Sequence, residues 1–277
     1  IPRTYDLAVC SKGISGSTPT TEPLRYFIMT ELVPKATSVW GMTVATYRAA
    51  ERKFHAVYER YVTAHTGIFI QILHTLHLMH SKRIMHNDMH DENVLLIDAS
   101  KELYSGKRWS EYDYFAYQVS GKTLYIPREE YMWMVKIIDF GYGCQYDKRK
   151  ICNAIIVGHP SFVDAFCPAY DYLLIADRMY RLHLPNCPEA IQPQIRKWES
   201  VFADLLEFVF DGKVSMLTYR LGINDNHRFV ENGGVDKLKA VTVSAADLLL
   251  QFPLFAKYRK RPRVGSRIAV VATDVHP

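Results

Sequence analysis

The chain has no CxxC pair, no internal repeat and no uninterrupted apolar stretch near the ~20 residues that a membrane-spanning helix needs. A zinc ribbon, a solenoid and a helical membrane span are thereby excluded. With 14 Gly and 13 Pro in 277 residues, it is neither collagen-like nor low in complexity. Its five cysteines, Cys10, Cys144, Cys152, Cys167 and Cys187, are odd in number and widely spread. That pattern excludes a disulfide framework and leads us to expect reduced thiols in a cytosol-like compartment. The chain begins Ile1-Pro2-Arg3, with neither a signal-peptide pattern nor an initiator Met, so we expect the native product to carry residues upstream.

What is present describes a globular protein. Hydrophobic residues make up 48% and charged residues 23%, enough apolar material for a sizeable core. The net charge of +5 permits an acidic partner without demanding one. The surplus is local: Lys257-Tyr-Arg-Lys-Arg-Pro-Arg263 carries five positive charges, and without it the basic residues equal the 29 acidic ones. This run reads as a solvated tail, as a patch for an acidic or phosphate-bearing partner, or as a nuclear-localisation or nucleic-acid-binding segment, and Pro262 argues against a helix running through it.

Aromatic and aliphatic runs at Tyr5–Cys10 and Leu24–Leu32, parted by a Gly/Ser/Thr/Pro-rich stretch, predict two strands. From Thr43 to His80 the only Gly or Pro is Gly67, and Ile68, Ile72, Leu76 and Met79 recur at helical spacing, which predicts two helices with the second largely buried. A polar stretch, His86–Asn93, precedes a strand at Val94–Ile97. The Tyr-rich segment from Ser100 to Glu130 reads as an insertion, with a hairpin around Ser120-Gly121. Another strand, Val135–Ile138, ends at Asp139. Helical patterning follows at Tyr170–Leu184 and at Gln192–Phe210, the latter through Ile195, Trp198, Phe202, Leu205 and Val209.

Three side chains carry chemistry. Asp88 and Asn93 stand five residues apart in the loop before one apolar strand, and Asp139 ends a second. Phosphoryl transfer needs a carboxylate to accept the proton of the attacking hydroxyl, and an Asn with a second carboxylate to hold magnesium between the phosphates.

In this ordered combination the sequence resembles the eukaryotic protein kinase superfamily, whose catalytic loop HRDxKxxN is followed by DFG. The resemblance implies an α+β, protein-kinase-like fold that uses ATP and Mg²⁺ to phosphorylate Ser/Thr hydroxyls of a protein substrate. It makes Asp88 the base, places His90 and Asn93 beside it in the catalytic loop, and makes Asn93 and Asp139 the metal ligands. Phe140 and Gly141 complete the DFG element. Thr30 falls at the gatekeeper position, Glu31, Leu32 and Val33 at the hinge, and Leu95 under the adenine. Asp171, in Tyr170-Asp-Tyr172, would brace the catalytic loop. The implied division is a small-lobe remnant at 1–33, a large lobe at 34–250 with a hairpin insertion at about 100–132, and a basic C-terminal extension at 251–277.

Departures qualify the match. The family's Arg before the catalytic Asp is Asn87, its Lys two residues after is His90, and an APE element has Cys167-Pro168 as its nearest counterpart. Nothing before Tyr5 can hold the Gly-rich loop and strand lysine. Reading Gly13, Gly16 and Lys35 as those parts leaves too little chain before Asp88, so the two glycines read as turn residues. An upstream segment or a partner chain is expected to complete the small lobe. The long insertion and His90 together resemble kinases of large DNA viruses more than those of animals, implying host cytoplasm, a virion, or the nucleus through the basic run. Two alternatives stay open: a small-molecule phosphotransferase of the aminoglycoside or choline type, which shares His90, and an inactive pseudokinase or structural subunit. The trio His74, His77 and His80 lacks a carboxylate or Cys to complete a metal site and reads as packing. His86 reads as a core residue, and Tyr112, Tyr114, Phe115 and Tyr117 as hairpin packing, with a docking surface as the alternative.

Overall fold

A computed structural model describes residues 4–10, 25–30, 36–51, 55–104, 106–146, 151–152, 165–181, 189–223, 229 and 231–272. Strands β1 (Thr4–Cys10) and β2 (Arg25–Thr30) form an antiparallel ribbon. After β3 (Thr37–Ser38) come helices α1 (Val39–Glu51) and α2 (His55–Ser81), then β4 (Ile84–Met85) and β5 (Val94–Asp98). The inserted region holds β6 (Leu103–Tyr104), β7 (Lys107–Arg108), β8 (Tyr114–Val119) and β9 (Lys122–Pro127). Then follow β10 (Trp133–Ile137), β11 (Cys144–Gln145), β12 (Ile151–Cys152), α3 (Pro168–Tyr180) and α4 (Gln192–Phe210). Three short helices, α5 (Met216–Leu221), α6 (Gly234–Lys239) and α7 (Ala245–Gln251), lead to a 3-10 helix, Pro253–Arg259, and to β13 (Ile268–Ala272). The class is α+β, with small sheets set around a helical core.

Helix α2 is the centre of that core. Its Ile68, Phe69, Ile72, Leu73 and Leu76 are fully buried, as the spacing predicts. Gly67 lets α2 pass close to the end of the inserted region, since a Cβ there would lie 2.5 Å from the Glu130 carbonyl oxygen. Across α2 runs the antiparallel pair β5–β10, extended by β3, with Val94 opposite Ile137 and Leu95 opposite Lys136. A second small sheet, β12-β11-β4, sets Cys144 across from Met85 on one side and Cys152 on the other.

The insertion and the C-terminal extension share one sheet. β13 pairs in parallel with β8, giving a three-stranded sheet in the order β13-β8-β9. The hairpin turns at Ser120-Gly121, both with positive φ, as a two-residue primed turn requires. Phe115 stacks on Tyr131 at 4.0 Å, and Tyr104, Tyr112 and Tyr117 close around them, so most of the insertion's aromatics are core.

The basic run proves equally tied down. Lys257 pairs with Glu130 at 2.7 Å, the Tyr258 hydroxyl donates to the same carboxylate, and Arg259 donates to the Leu249 and Phe252 carbonyls at 3.2 Å. Burial of Phe255 and Tyr258, each worth about 1.5–3 kcal/mol, outweighs an exposed ion pair worth under about 1 kcal/mol. The reading of the whole run as a solvated tail is therefore corrected: Lys260, Arg261 and Arg263 alone of its charges stand exposed without an ion pair among the described residues.

Candidate active site

The loop from His86 to Asn93 is held from below by one carboxylate. Asp171, in the first turn of α3 and fully buried, accepts the backbone N–H of His86 at 2.9 Å and that of Asn87 at 2.8 Å. Its Oδ2 also lies 3.0 Å from His80 Nε2, a third donor supplied by the end of α2. Pro168 starts α3 at the first helical position, where a missing N–H costs nothing. Asn87 takes a left-handed conformation, φ 64°, which Asn tolerates better than most residues. Its side chain donates to the Tyr142 carbonyl at 3.1 Å, so the residue in the expected Arg position serves the local backbone.

Above this support sit three of the candidate residues. Asn93 donates its side-chain N–H to the Asp88 backbone carbonyl at 2.9 Å, with Asp88 Oδ2 at 3.5 Å. His90 Nε2 lies 3.6 Å from Asp88 Oδ2 and His90 Nδ1 is 3.9 Å from Glu92 Oε2. The Asp88 carboxylate holds the His90 imidazole above its ordinary pKa, with Asp91 and Glu92 adding to the pull and partial burial opposing it. Asp91 faces inward: burial raises its carboxyl pKa, opposed chiefly by Arg178, while its backbone carbonyl accepts the Trp40 N–H at 3.2 Å.

Asp139 arrives from the neighbouring strand. Because Val94 opposes Ile137 and Ile138 N–H donates to the Asn93 carbonyl at 3.0 Å, Asn93 and Asp139 emerge at the same end of the β5–β10 pair. Asp139 is exposed and left-handed, φ 57°, and its Oδ1 accepts the Gly141 N–H at 3.1 Å. Phe140 packs on the His86 ring with centroids 4.7 Å apart, and His86 Nε2 donates to the Ile138 carbonyl at 2.8 Å. His86 is thus a fully buried link between the two segments.

Asn93's amide hydrogens face Asp88, so its oxygen is turned the other way and meets no protein donor among the described residues. Asn93 and Asp139 therefore offer one amide and one carboxylate oxygen, a hard-donor set that fits magnesium shared with phosphates. Among the described residues no group of three or more His, Cys, Asp or Glu converges on a metal position, His74, His77 and His80 included. His74 instead lies 2.9 Å from the Gln118 carbonyl.

The segment after Asp139 is anchored by residues that sequence reasoning passed over. Arg83 and Tyr146 are joined twice: Tyr146 N–H donates to the Arg83 carbonyl at 2.8 Å, and Arg83 Nε donates to the Tyr146 carbonyl. The Arg83 guanidinium also lies 4.5 Å over the Phe166 ring. Cys144 is disulfide-bonded, and Cys152 is its Cα partner across the β11–β12 ladder. The expectation of uniformly reduced thiols fails at Cys144. Cys167 is a buried free thiol. Of the expected nucleotide contacts, Leu95 lies half-buried on β5, on the face opposite buried Val94 and Leu96. Thr30 closes β2, whereas Glu31, Leu32 and Val33 lie outside the described residues, as do Gly13, Gly16 and Lys35.

Comparison with protein-family models and with curated proteins found no match. Among the described residues no helix is long and apolar enough to cross a membrane.

Proposed function

We propose that this chain is the protein-kinase-like large lobe of a phosphotransferase that moves the ATP γ-phosphoryl group to a Ser or Thr hydroxyl of a protein. The observation that carries the reading is the gathering of Asp88 and Asn93 with the strand end that bears Asp139, on a loop whose backbone is pinned by buried Asp171.

In this reading Asp88 accepts the proton of the attacking hydroxyl as its oxygen bonds to the γ-phosphorus, and the bond to the β–γ bridging oxygen breaks to release ADP. Asn93 and Asp139 would hold magnesium, which when bound neutralises charge on the phosphates. His90, kept more basic by Asp88, presents a cation where phosphoryl charge develops. Arg83, through Tyr146, keeps the segment that follows Asp139 in place. Thr30 and the segment after it, with Leu95, would receive the adenine. A second reading, small-molecule phosphotransfer, draws on the His90–Asp88 contact and differs in taking an alcohol or aminoglycoside acceptor. A thermal-shift assay tests the shared core: Mg-ATP should raise the melting temperature of wild type and not of Asp139→Asn. An equal shift in both removes Asp139 as a ligand.

A further inference from the structure

Away from the loop of Asp88, helix α4 and the segment after α7 enclose a groove of about 460 Å³. Its floor is Val201, Phe208, Phe252, Pro253 and Leu254. Asp204 and Glu207, one helical turn apart and both exposed, form its rim, and no basic side chain lines it. Neither carboxylate has an ion-pair partner among the described residues. The groove therefore suits an apolar side chain carried next to positive charges.

The chain displays such a group itself. Val264 is the most exposed large hydrophobic residue among those described, at 107% of its reference area, and sits in the turn made by Gly265, φ 91°. Arg261 and Arg263, three and one positions before it, are exposed and free of ion pairs among the described residues. The more exposed of the rival apolar residues, Leu217, Leu221 and Val270, differ on this point. Beside Leu217 and Leu221 the cation is Arg220, already 3.5 Å from Glu199, and beside Val270 it is Arg267, already 2.8 Å from Asp113.

Groove and turn are linked by the 3-10 helix Pro253–Arg259, whose seven residues span roughly 14 Å at ~2 Å each, and by the four residues from Lys260 to Arg263 that follow it. Complementary features on one chain can be paired reciprocally by a two-fold axis, each copy giving its turn and receiving the other's. We propose that the groove's occupant is a second copy of this chain, with Val264 of each copy seated between Asp204 and Glu207 of the other. This dimer is independent of the phosphotransfer reading.

Light scattering across a micromolar dilution series tests it. Wild type should show twice the 32.0 kDa chain mass. Val264→Asp, the rim variant Asp204→Lys/Glu207→Lys and the turn variant Arg261→Glu/Arg263→Glu should each dissociate at least about tenfold more readily, since each opposes like charges or empties the groove. Melting curves matching wild type would show that the variants are folded. Mixing the rim and turn variants restores both charge pairs and should restore the dimer. A wild-type chain at monomer mass, a dimer indifferent to both reversals, or folded variants that fail to pair when mixed would each overturn the proposal.

Discussion

The Asp171 carboxylate accepts the backbone N–H of Asn87 at 2.8 Å across 84 residues of sequence. With the matching bond to His86, it fixes the backbone on which Asp88 stands. Asp171→Ala would leave three buried donors, the His86 and Asn87 N–H groups and His80 Nε2, without their acceptor, at about 1–3 kcal/mol each. The variant should melt well below wild type, and Asp171→Asn, which keeps one carbonyl acceptor, should fall between them. Equal melting temperatures would show that the brace contributes nothing.

His90 sets an expected pH dependence. Its imidazole is held above the ordinary value near 6.5, so its charged form persists to higher pH in the folded protein. The stability from its contact with Asp88 is complete below about pH 6.5 and is lost as pH rises through the folded pKa. Phosphotransfer should decline over the same alkaline limb. His90→Lys, whose ammonium titrates near 10.4, should carry that limb upward. A limb unchanged by the substitution would remove His90 from the chemistry.

A buried histidine predicts the opposite slope. His65 stacks on Trp198 at 4.4 Å, lies 3.2 Å from the Met179 carbonyl through Nε2, and is lowered by burial to a pKa of about 4. Between about pH 6.5 and 4 the unfolded chain takes a proton there that the folded chain refuses, so stability falls as pH falls, by up to about 3 kcal/mol. Replacing His65 with Phe should flatten this limb of the melting-temperature profile. An equally steep limb in the variant would assign the acid sensitivity to other groups.

Local features of the fold were legible in the sequence where local physics decides them. The spacing of Ile68, Ile72, Leu76 and Met79 marks a buried helix, and Ser120-Gly121 marks a hairpin, because each depends on near neighbours. Asp88, Asn93 and Asp139 were readable as residue types beside apolar strands, whereas their supports were not. Arg83 reaches Tyr146 63 residues on, and Lys257 reaches Glu130 across 127 residues. The β13–β8 pairing joins segments more than a hundred residues apart with no turn between them to announce it. The charge of Lys257 looked free because its acceptor lies outside any local window.

The central claim is that Asp88 is the base of a phosphoryl transfer. Incorporation of label from γ-labelled ATP into a generic protein substrate, with magnesium and the full-length protein, tests it most directly. Wild type should label the substrate, and Asp88→Ala should abolish labelling while keeping its Mg-ATP thermal shift. Wild-type-like labelling by Asp88→Ala, or no transfer by the wild-type protein, would contradict the account.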